Sequence, residues 1–239
     1  MYTNYIFDIY GTLIDINSDE SKPELWEKLS AFYHFKGAIY TPKALKISYE
    51  QKIEKVRATI THTQYPDFPL EPIFESLYTD KNITVSREVV EDTAHFFRLL
   101  SINYIRLYDG VIEFLKELKS KDKKLYVLSN AQAIFTHYEM KLLGILDYFD
   151  DIFFSADYKT CKPDPQFYNV LLDTLKLDKK KTIMIGNDYI CDIKGAYDVG
   201  LDSLYMHSNL SPEIEGELLS TYSIMSCDVS QMAPLCLEK

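Results

Sequence analysis

The sequence predicts an α/β fold, a parallel sheet flanked by helices, with an all-helical insert near its start. Two patterns carry the prediction. Short β-branched and aromatic runs alternate with helical periodicity over the later part of the chain, as in strand–helix–strand crossovers. Between the first such run and the second, from about residue 15 to residue 105, only helical patterning occurs.

Tyr5-Ile6-Phe7-Asp8-Ile9-Tyr10 is an apolar run closed by Gly11 and reads as a buried strand with polar groups at its carboxyl end. The insert follows, with helical stretches at 23–33, 42–60 and 86–100, the last starting at Ser86, and no strand is expected within it. Beyond it, Val111, Phe114, Leu115 and Leu118 share one helix face, and strand runs are expected at 124–128, 152–154, 182–185 and 203–206. Phe167, Val170 and Leu171 line a further helix, whose start is marked by Asp164 as N-cap and Pro165 in the first helical position. A parallel sheet built this way is buried on both faces. The expected organisation is a core of residues 1–15 and 105–239 and a helical insert of residues 16–104, placed to cover the end of the first strand.

Composition narrows the function. A chain of 239 residues, 46% apolar and 26% charged, is long enough for one large core and an insert. Its net charge of −10 suits neither a nucleic-acid backbone nor an anionic membrane surface. No apolar run approaches the ~20 residues that span a bilayer, and Met1-Tyr2-Thr3-Asn4 lacks the basic start of a signal peptide. A cytoplasmic enzyme or binding protein is expected, monomeric or homodimeric, with a small-molecule partner. Cys161, Cys191, Cys227 and Cys236 form no C-x-x-C pair and the histidines are scattered, so reduced and mostly buried cysteines are expected rather than a zinc site or disulfides. With eight glycines and no G-x-G-x-x-G or Walker-type loop, the glycine-loop nucleotide folds are unlike this chain.

Ligands of parallel α/β sheets bind at the carboxyl ends of the strands. Three such ends carry Asp8, then Ser129-Asn130, then Asp188 with Asp192, and Lys162-Pro163-Asp164-Pro165 lies between the last two. A carboxylate nucleophile, a hydroxyl, a lysine and an acidic pair suit phosphoryl transfer. Mg²⁺ takes oxygen ligands and would sit between Asp8 and the late aspartates, while the lysine offsets charge on the attacked group.

This order of motifs resembles the haloacid dehalogenase-like hydrolase superfamily over nearly the whole chain. The motifs stand as Phe7-Asp8-Ile9-Tyr10-Gly11-Thr12-Leu13, Val127-Leu128-Ser129-Asn130, Cys161-Lys162-Pro163-Asp164, and Ile185-Gly186-Asn187-Asp188-Tyr189-Ile190-Cys191-Asp192. The resemblance implies a Rossmann-like core, with the insert as a helical cap of the C1 type. It implies Asp8 as the nucleophile, forming an aspartyl-phosphate or aspartyl-ester, and Ser129 and Asn130 as substrate-binding residues. Lys162 would bridge nucleophile and transferred group, and Thr12 would fix the turn after the strand. Mg²⁺ would be held by Asp8, the backbone carbonyl of Tyr10 and Asp188, with Asp192 ligating through water or orienting the others.

One position departs from the phosphatases of that superfamily, where the residue two after the nucleophile is an aspartate acting as general acid and base. Here it is Tyr10, and a phenol with a pKa near 10 is a poor base at neutral pH. The D-x-Y-G-T-L form is similar to the metal-independent L-2-haloacid dehalogenases, as is Tyr168 six residues after Lys162. Against that branch, Asp188 and Asp192 keep an acidic pair, and the place of its substrate arginine is taken by Gly37-Ala38-Ile39-Tyr40, leaving Arg57 as a substitute by another route. The expectation is therefore a Mg²⁺-dependent phosphatase on a small phosphorylated anion, with a haloacid dehalogenase as the first alternative and a catalytically silent binding or regulatory protein as the second. Lys43, Lys46, Lys52, Lys55 and Arg57, against Glu50 and Glu54, would either steer an anionic substrate toward the site or form a solvated helix face with i,i+4 pairs, and the second is the expectation. Tyr33, Tyr40 and Tyr49 are candidates to line a pocket.

Overall fold

A computed structural model describes residues 1–237. In chain order its strands are β1 (Asn4–Phe7), β2 (Ile14–Ser18), β3 (Ile102–Leu107), β4 (Lys124–Ser129), β5 (Asp151–Phe154), β6 (Thr182–Gly186), β7 (Asp202–Met206) and β8 (Tyr222–Ile224). The helices are α1 (Pro23–Phe35), α2 (Pro42–Arg57), α3 (Glu71–Thr79), α4 (Arg87–Ser101), α5 (Val111–Ser120), α6 (Ala133–Leu142), α7 (Ser155–Tyr158), α8 (Pro165–Leu175), α9 (Gly195–Asp198) and α10 (Met232–Cys236). A π-helical stretch, Tyr189–Lys194, precedes α9.

Six strands pair in the order β5-β4-β1-β6-β7-β8, every pair parallel. β1 lies at the centre, with Phe7 opposite Val127 of β4 and Ile185 of β6. The chain therefore brings the ends of β1, β4 and β6 side by side. One face of the sheet is covered by α5, α6 and the C-terminal segment, where Phe7 meets Phe114 and Phe149 edge-on at 6.2 and 6.0 Å. Such ring pairs add roughly 0.5–1.5 kcal/mol each beyond area burial. The other face carries Ile6, Leu128 and Met184 against Phe167, Tyr168 and Leu171 of α8. The predicted N-caps hold: Asp164 accepts the Gln166 N–H at 2.9 Å, and Ser86 accepts the Val89 N–H at 3.4 Å.

Between β2 and β3 the helices α1–α4 build a second core, in which Trp26, Tyr33, Tyr49, Phe74 and Phe97 interlock and Phe135 of α6 joins from the sheet side. Tyr33 is fully buried, 4.3 Å from the Tyr78 ring, so it fills this core rather than lining a pocket. Tyr40 donates to the Leu77 carbonyl, and Tyr49 borders a cavity, beside Trp26. The basic face of α2 carries surface pairs, Lys46–Glu50 and Arg57–Glu54, as expected.

Three features differ from the sequence expectation. The insert is not free of strands at its roots: β2 and β3 form an antiparallel ribbon, Ile14 opposite Leu107 and Ser18 opposite Ile102. Its short alternating stretches mix Ile14 and Ile16 with Asp15, Asn17 and Ser18, which dilutes the apolar signal. The ribbon is fastened by Asp15, which is buried and accepts from Arg106 at 2.8 and 2.9 Å, from Tyr104 at 3.1 Å and from Asn209 at 2.9 Å. Burial alone would raise that carboxyl, but these donors outweigh it and hold it below its ordinary value. Second, α3 and the edge strand β8 were too short to stand out in the sequence. Third, all four cysteines are free thiols as expected, but only Cys236 is buried; Cys161 and Cys191 are half-buried and Cys227 is exposed.

Candidate active site

The Asp8 N–H extends the β1–β6 ladder by one bond, to the Ile185 carbonyl at 3.0 Å, which sets its carboxylate at the strand end. The chain then wraps back on itself: the N–H groups of Leu13 and Ile14 both return to the Ile9 carbonyl, at 2.8 and 2.9 Å. Gly11 permits this turn at φ +86°, where a Cβ would also lie 2.3 Å from the Asn187 amide. Thr12 is buried beneath the turn, its hydroxyl 3.2 Å from Asn187 Oδ1 and 3.5 Å from Asp8 Oδ2.

Asp8 Oδ1 accepts from the Lys162 ammonium at 2.7 Å and from the Ser129 hydroxyl at 3.0 Å. Lys162 also donates to Asp192 Oδ1 at 2.6 Å and is 2% exposed. Burial alone would lower its pKa, but Asp192 and Asp8 prevail and keep the ammonium protonated above its usual range. For Asp192 the order reverses: burial raises its carboxyl to about 7 against the pull of Lys162. Asp192 Oδ2 accepts the Asp188 N–H at 2.9 Å, and Gly186 leaves the room it needs, since a Cβ there would lie 2.3 Å from Asp192. Asp188 spends Oδ1 on the N–H groups of Ile190 and Cys191, both at 2.8 Å. Tyr168 supports the site from behind, donating to the carbonyls of Cys191 and Asp192 at 2.6 and 3.0 Å.

A cavity of about 170 Å³ opens on these groups, lined by Asp8, Tyr10, Ser129, Asn130, Lys162, Asn187, Asp188, Cys191, Asp192 and Leu210. The residues predicted from strand ends thus converge, with Thr12 just beneath. Asn187, Cys191 and Leu210 had no predicted role; Asn187 and Cys191 lie inside the fourth motif, whereas Leu210 arrives from a loop without a local signature.

Two predicted residues have side chains occupied differently from the expectation. The Asn130 amide closes both ways on the Lys162 backbone, accepting its N–H at 2.8 Å and donating to its carbonyl at 2.9 Å, so it holds the lysine rather than reaching for a substrate. The Tyr10 hydroxyl donates to Glu139 and lies 2.9 Å from the Thr136 hydroxyl, with Arg98 at 3.4 Å. Burial, reinforced by Glu139, pushes this phenol well above its usual range. Its proton is committed to a carboxylate and is hard to remove, which is unsuited to general acid or base work.

Among the described residues no three carboxylate, histidine or cysteine side chains form a preformed metal cluster. Two carboxylates nevertheless keep an oxygen for the cavity: Asp8 Oδ2, with only the long Thr12 contact, and Asp188 Oδ2. Both Asp192 oxygens are taken, by Lys162 and the Asp188 N–H. Mg²⁺ is commonly held by one or two carboxylates and several waters, and this donor set fits it.

Residues 2–200 match the family model described as haloacid dehalogenase-like hydrolase. A glyceraldehyde 3-phosphate phosphatase of Methanocaldococcus jannaschii is 28% identical over 53% of this chain and 56% of its own length. A pyrimidine 5'-nucleotidase of Streptococcus pneumoniae is 30% identical over 40% of this chain and 41% of its own. The chain thus spans about half the length of these curated relatives. Among solved structures, a 2-haloacid dehalogenase from Pseudomonas syringae aligns at a TM-score of 0.66 and 18% identity, covering 99% of this chain and 98% of that one. The hydrolase YfnB of Bacillus subtilis, bound to magnesium, aligns at 0.57 and 18% identity, covering 98% of both chains. At that identity the structures share the fold alone. The chain belongs to the haloacid dehalogenase-like hydrolases.

Proposed function

We propose that this hydrolase is a Mg²⁺-dependent phosphatase acting on a small phosphorylated metabolite through an aspartyl-phosphate on Asp8. The observation that carries the reading is the charge of the cavity. Asp8, Asp188 and Asp192 line it with a single ammonium, Lys162, so the cavity stays net negative even when Asp192 carries its proton. An anionic substrate is repelled from such a cavity unless a divalent cation offsets the excess. Asp8, Asp188 and the Tyr10 carbonyl would hold the cation, with Asp192 orienting Asp188 through its N–H. When bound, Mg²⁺ neutralises charge on the phosphoryl oxygens.

One oxygen of the Asp8 carboxylate attacks phosphorus in line as the bond to the leaving oxygen breaks. Ser129 and Lys162 hold Oδ1, fixing the carboxylate for that attack, and the lysine charge lies beside the transferred group. Water then attacks phosphorus in the aspartyl-phosphate, releasing phosphate and restoring Asp8. No side chain replaces the missing acid at position 10, so the leaving oxygen departs without a proton from Tyr10, and acidic leaving groups such as phenols or acyl groups are preferred. The helical insert, residues 16–104, acts as a cap whose closure excludes water.

The dehalogenase alternative draws on Tyr10 and on Tyr168 behind the site. It needs a free cation for the substrate carboxylate, and the sequence has four arginines. Each is paired: Arg57 with Glu54, Arg87 with Glu91, Arg98 with Glu139 and Arg106 with Asp15. The test is hydrolysis of p-nitrophenyl phosphate with Mg²⁺ and with EDTA, in the native chain and in Asp8→Asn. Turnover requiring both metal and Asp8 is expected. Turnover that survives EDTA or Asp8→Asn refutes the reading. Silence in both conditions moves the assay to 2-chloropropionate, where halide release favours the dehalogenase and renewed silence favours the binding protein.

A further inference from the structure

Between α2 and α3 the insert runs irregularly from Ala58 to Leu70, and this loop lies on the two core segments that carry Asn130 and Lys162. At one end the Tyr65 carbonyl accepts the Cys161 N–H at 3.0 Å. The Thr63 hydroxyl donates to Asp164 Oδ2, an oxygen that also accepts from Thr160 at 2.8 Å, and accepts the Tyr65 N–H at 3.0 Å. The residues on both sides of Lys162-Pro163 are therefore bonded to the insert. At the other end Asp67 accepts from Ser155 and from Gln132 at 3.3 Å, and Ser155 in turn accepts the Ala131 N–H at 3.0 Å. Gln132 closes the contact by accepting the Leu70 N–H at 3.1 Å. Between these anchors sits Asn130, whose amide grips the Lys162 backbone on both sides.

A lysine side chain has four rotatable carbons, and its ammonium is only as well placed as the backbone beneath it. We propose that the loop of residues 58–70 is a positioning element: its seating on the core fixes the Cys161–Asp164 segment, and so sets the Lys162 ammonium against Asp8. Thr63 and Asp67 act through Lys162 and touch no reacting atom, and their effect on turnover rests on the phosphatase reading above. Seating the insert then completes the site from outside the cavity. A lifted insert leaves the Cys161 N–H without its acceptor and Asp164 without one donor, and the lysine segment loosens.

The test uses the full chain carrying Thr63→Val, which removes the hydroxyl at nearly constant volume, with Thr63→Ser as the conservative rescue. Two readouts are taken: amide hydrogen exchange across residues 159–166, and kcat and KM for p-nitrophenyl phosphate with Mg²⁺. In Thr63→Val, exchange at Cys161–Asp164 rises about tenfold and kcat falls about tenfold with KM unchanged, as loss of one charge-assisted hydrogen bond would give. The thermal midpoint falls by only a few degrees, and Thr63→Ser restores both values. Unchanged exchange overturns the proposal, whatever kcat does. Faster exchange with native kcat overturns it too, because the segment would then move without consequence for the lysine. If the native chain turns over no phosphate, the phosphatase reading fails on its own, and exchange in Thr63→Val still decides whether the loop fixes the lysine segment.

Discussion

In Tyr10→Phe the ring that borders the cavity stays and one hydroxyl goes. That hydroxyl is bonded to the Glu139 carboxylate, with Thr136 and Arg98 beside it. A hydrogen bond to a charged group contributes about 1.5–3 kcal/mol, and Glu139 keeps Arg98, so the variant should lose about 2 kcal/mol of unfolding free energy. The phenol proton points toward Glu139, so the reaction should be nearly indifferent: kcat on an aryl phosphate and on an alkyl phosphate should both stay within roughly threefold of the native values. General acid catalysis contributes roughly 10²–10⁴-fold, so a true proton donor at this position would lose far more. The assay pairs urea unfolding with kcat on p-nitrophenyl phosphate and on a sugar phosphate. A fall of a hundredfold confined to the sugar phosphate, with stability unchanged, would refute this account of Tyr10. The complementary Tyr10→Asp should raise turnover of the sugar phosphate and leave the aryl ester nearly unchanged; equal effects on both would also count against it.

Arg98 and Glu139 are 15% and 5% exposed and join the insert to the sheet domain at 2.6 Å. Arg98→Met, which leaves Glu139 buried without its guanidinium, should cost about 3–5 kcal/mol, and adding Glu139→Leu should recover most of it; additive losses in urea would contradict the pairing. In Gly186→Ala the new methyl meets Asp192 at 2.3 Å, so Lys162 loses its second anchor and kcat should drop roughly 100-fold, with a lower thermal midpoint; native kinetics would show that Asp192 has room to move. Burial alone would raise the Asp150 carboxyl, but Lys124, the Leu125 N–H and Lys119 hold it at about 2. A depressed carboxyl stabilises the fold above its unfolded value near pH 4, and that contribution disappears as pH falls toward 2. Asp150→Asn should therefore lose about 1 kcal/mol at pH 7, reduced by solvent screening of the two lysines, and only a small part of that at pH 2; an equal loss at both would exclude the ion pairs as its source.

The strand ends were legible because each places its chemistry one or two residues beyond an apolar run. Asp8, Ser129 and Asp188 could be found that way, and the proline after Asp164 marked the segment that carries Lys162. What escaped notice depends on partners distant in the chain. Asp15 finds Asn209, Thr63 finds Asp164, and Arg98 finds Glu139, with no periodicity to announce any of them. The occupations of Tyr10 and Asn130 escaped for a related reason. Residue type and position place a side chain near a cavity, whereas the direction of a hydroxyl or an amide is set by neighbours that the sequence does not bring into view. The ribbon at the root of the insert was missed because strands of five and six residues with polar alternation carry little apolar signal.

That ribbon also governs how the molecule could change over evolutionary time. Ser18 and Ile102, where the helices leave and rejoin, face each other across paired strands, which run about 4.8 Å apart. In topological terms residues 19–101 are the loop of one hairpin. A two-residue turn could close the same gap, and lengthening such a loop costs little, since closure entropy grows only with the logarithm of its length. Exchange or resizing of everything beyond the ribbon leaves the wiring of the six-stranded sheet untouched. A new insert would need to supply a surface for Phe135, a cation for Glu139, and both acceptors and donors for the loops around Asn130 and Lys162.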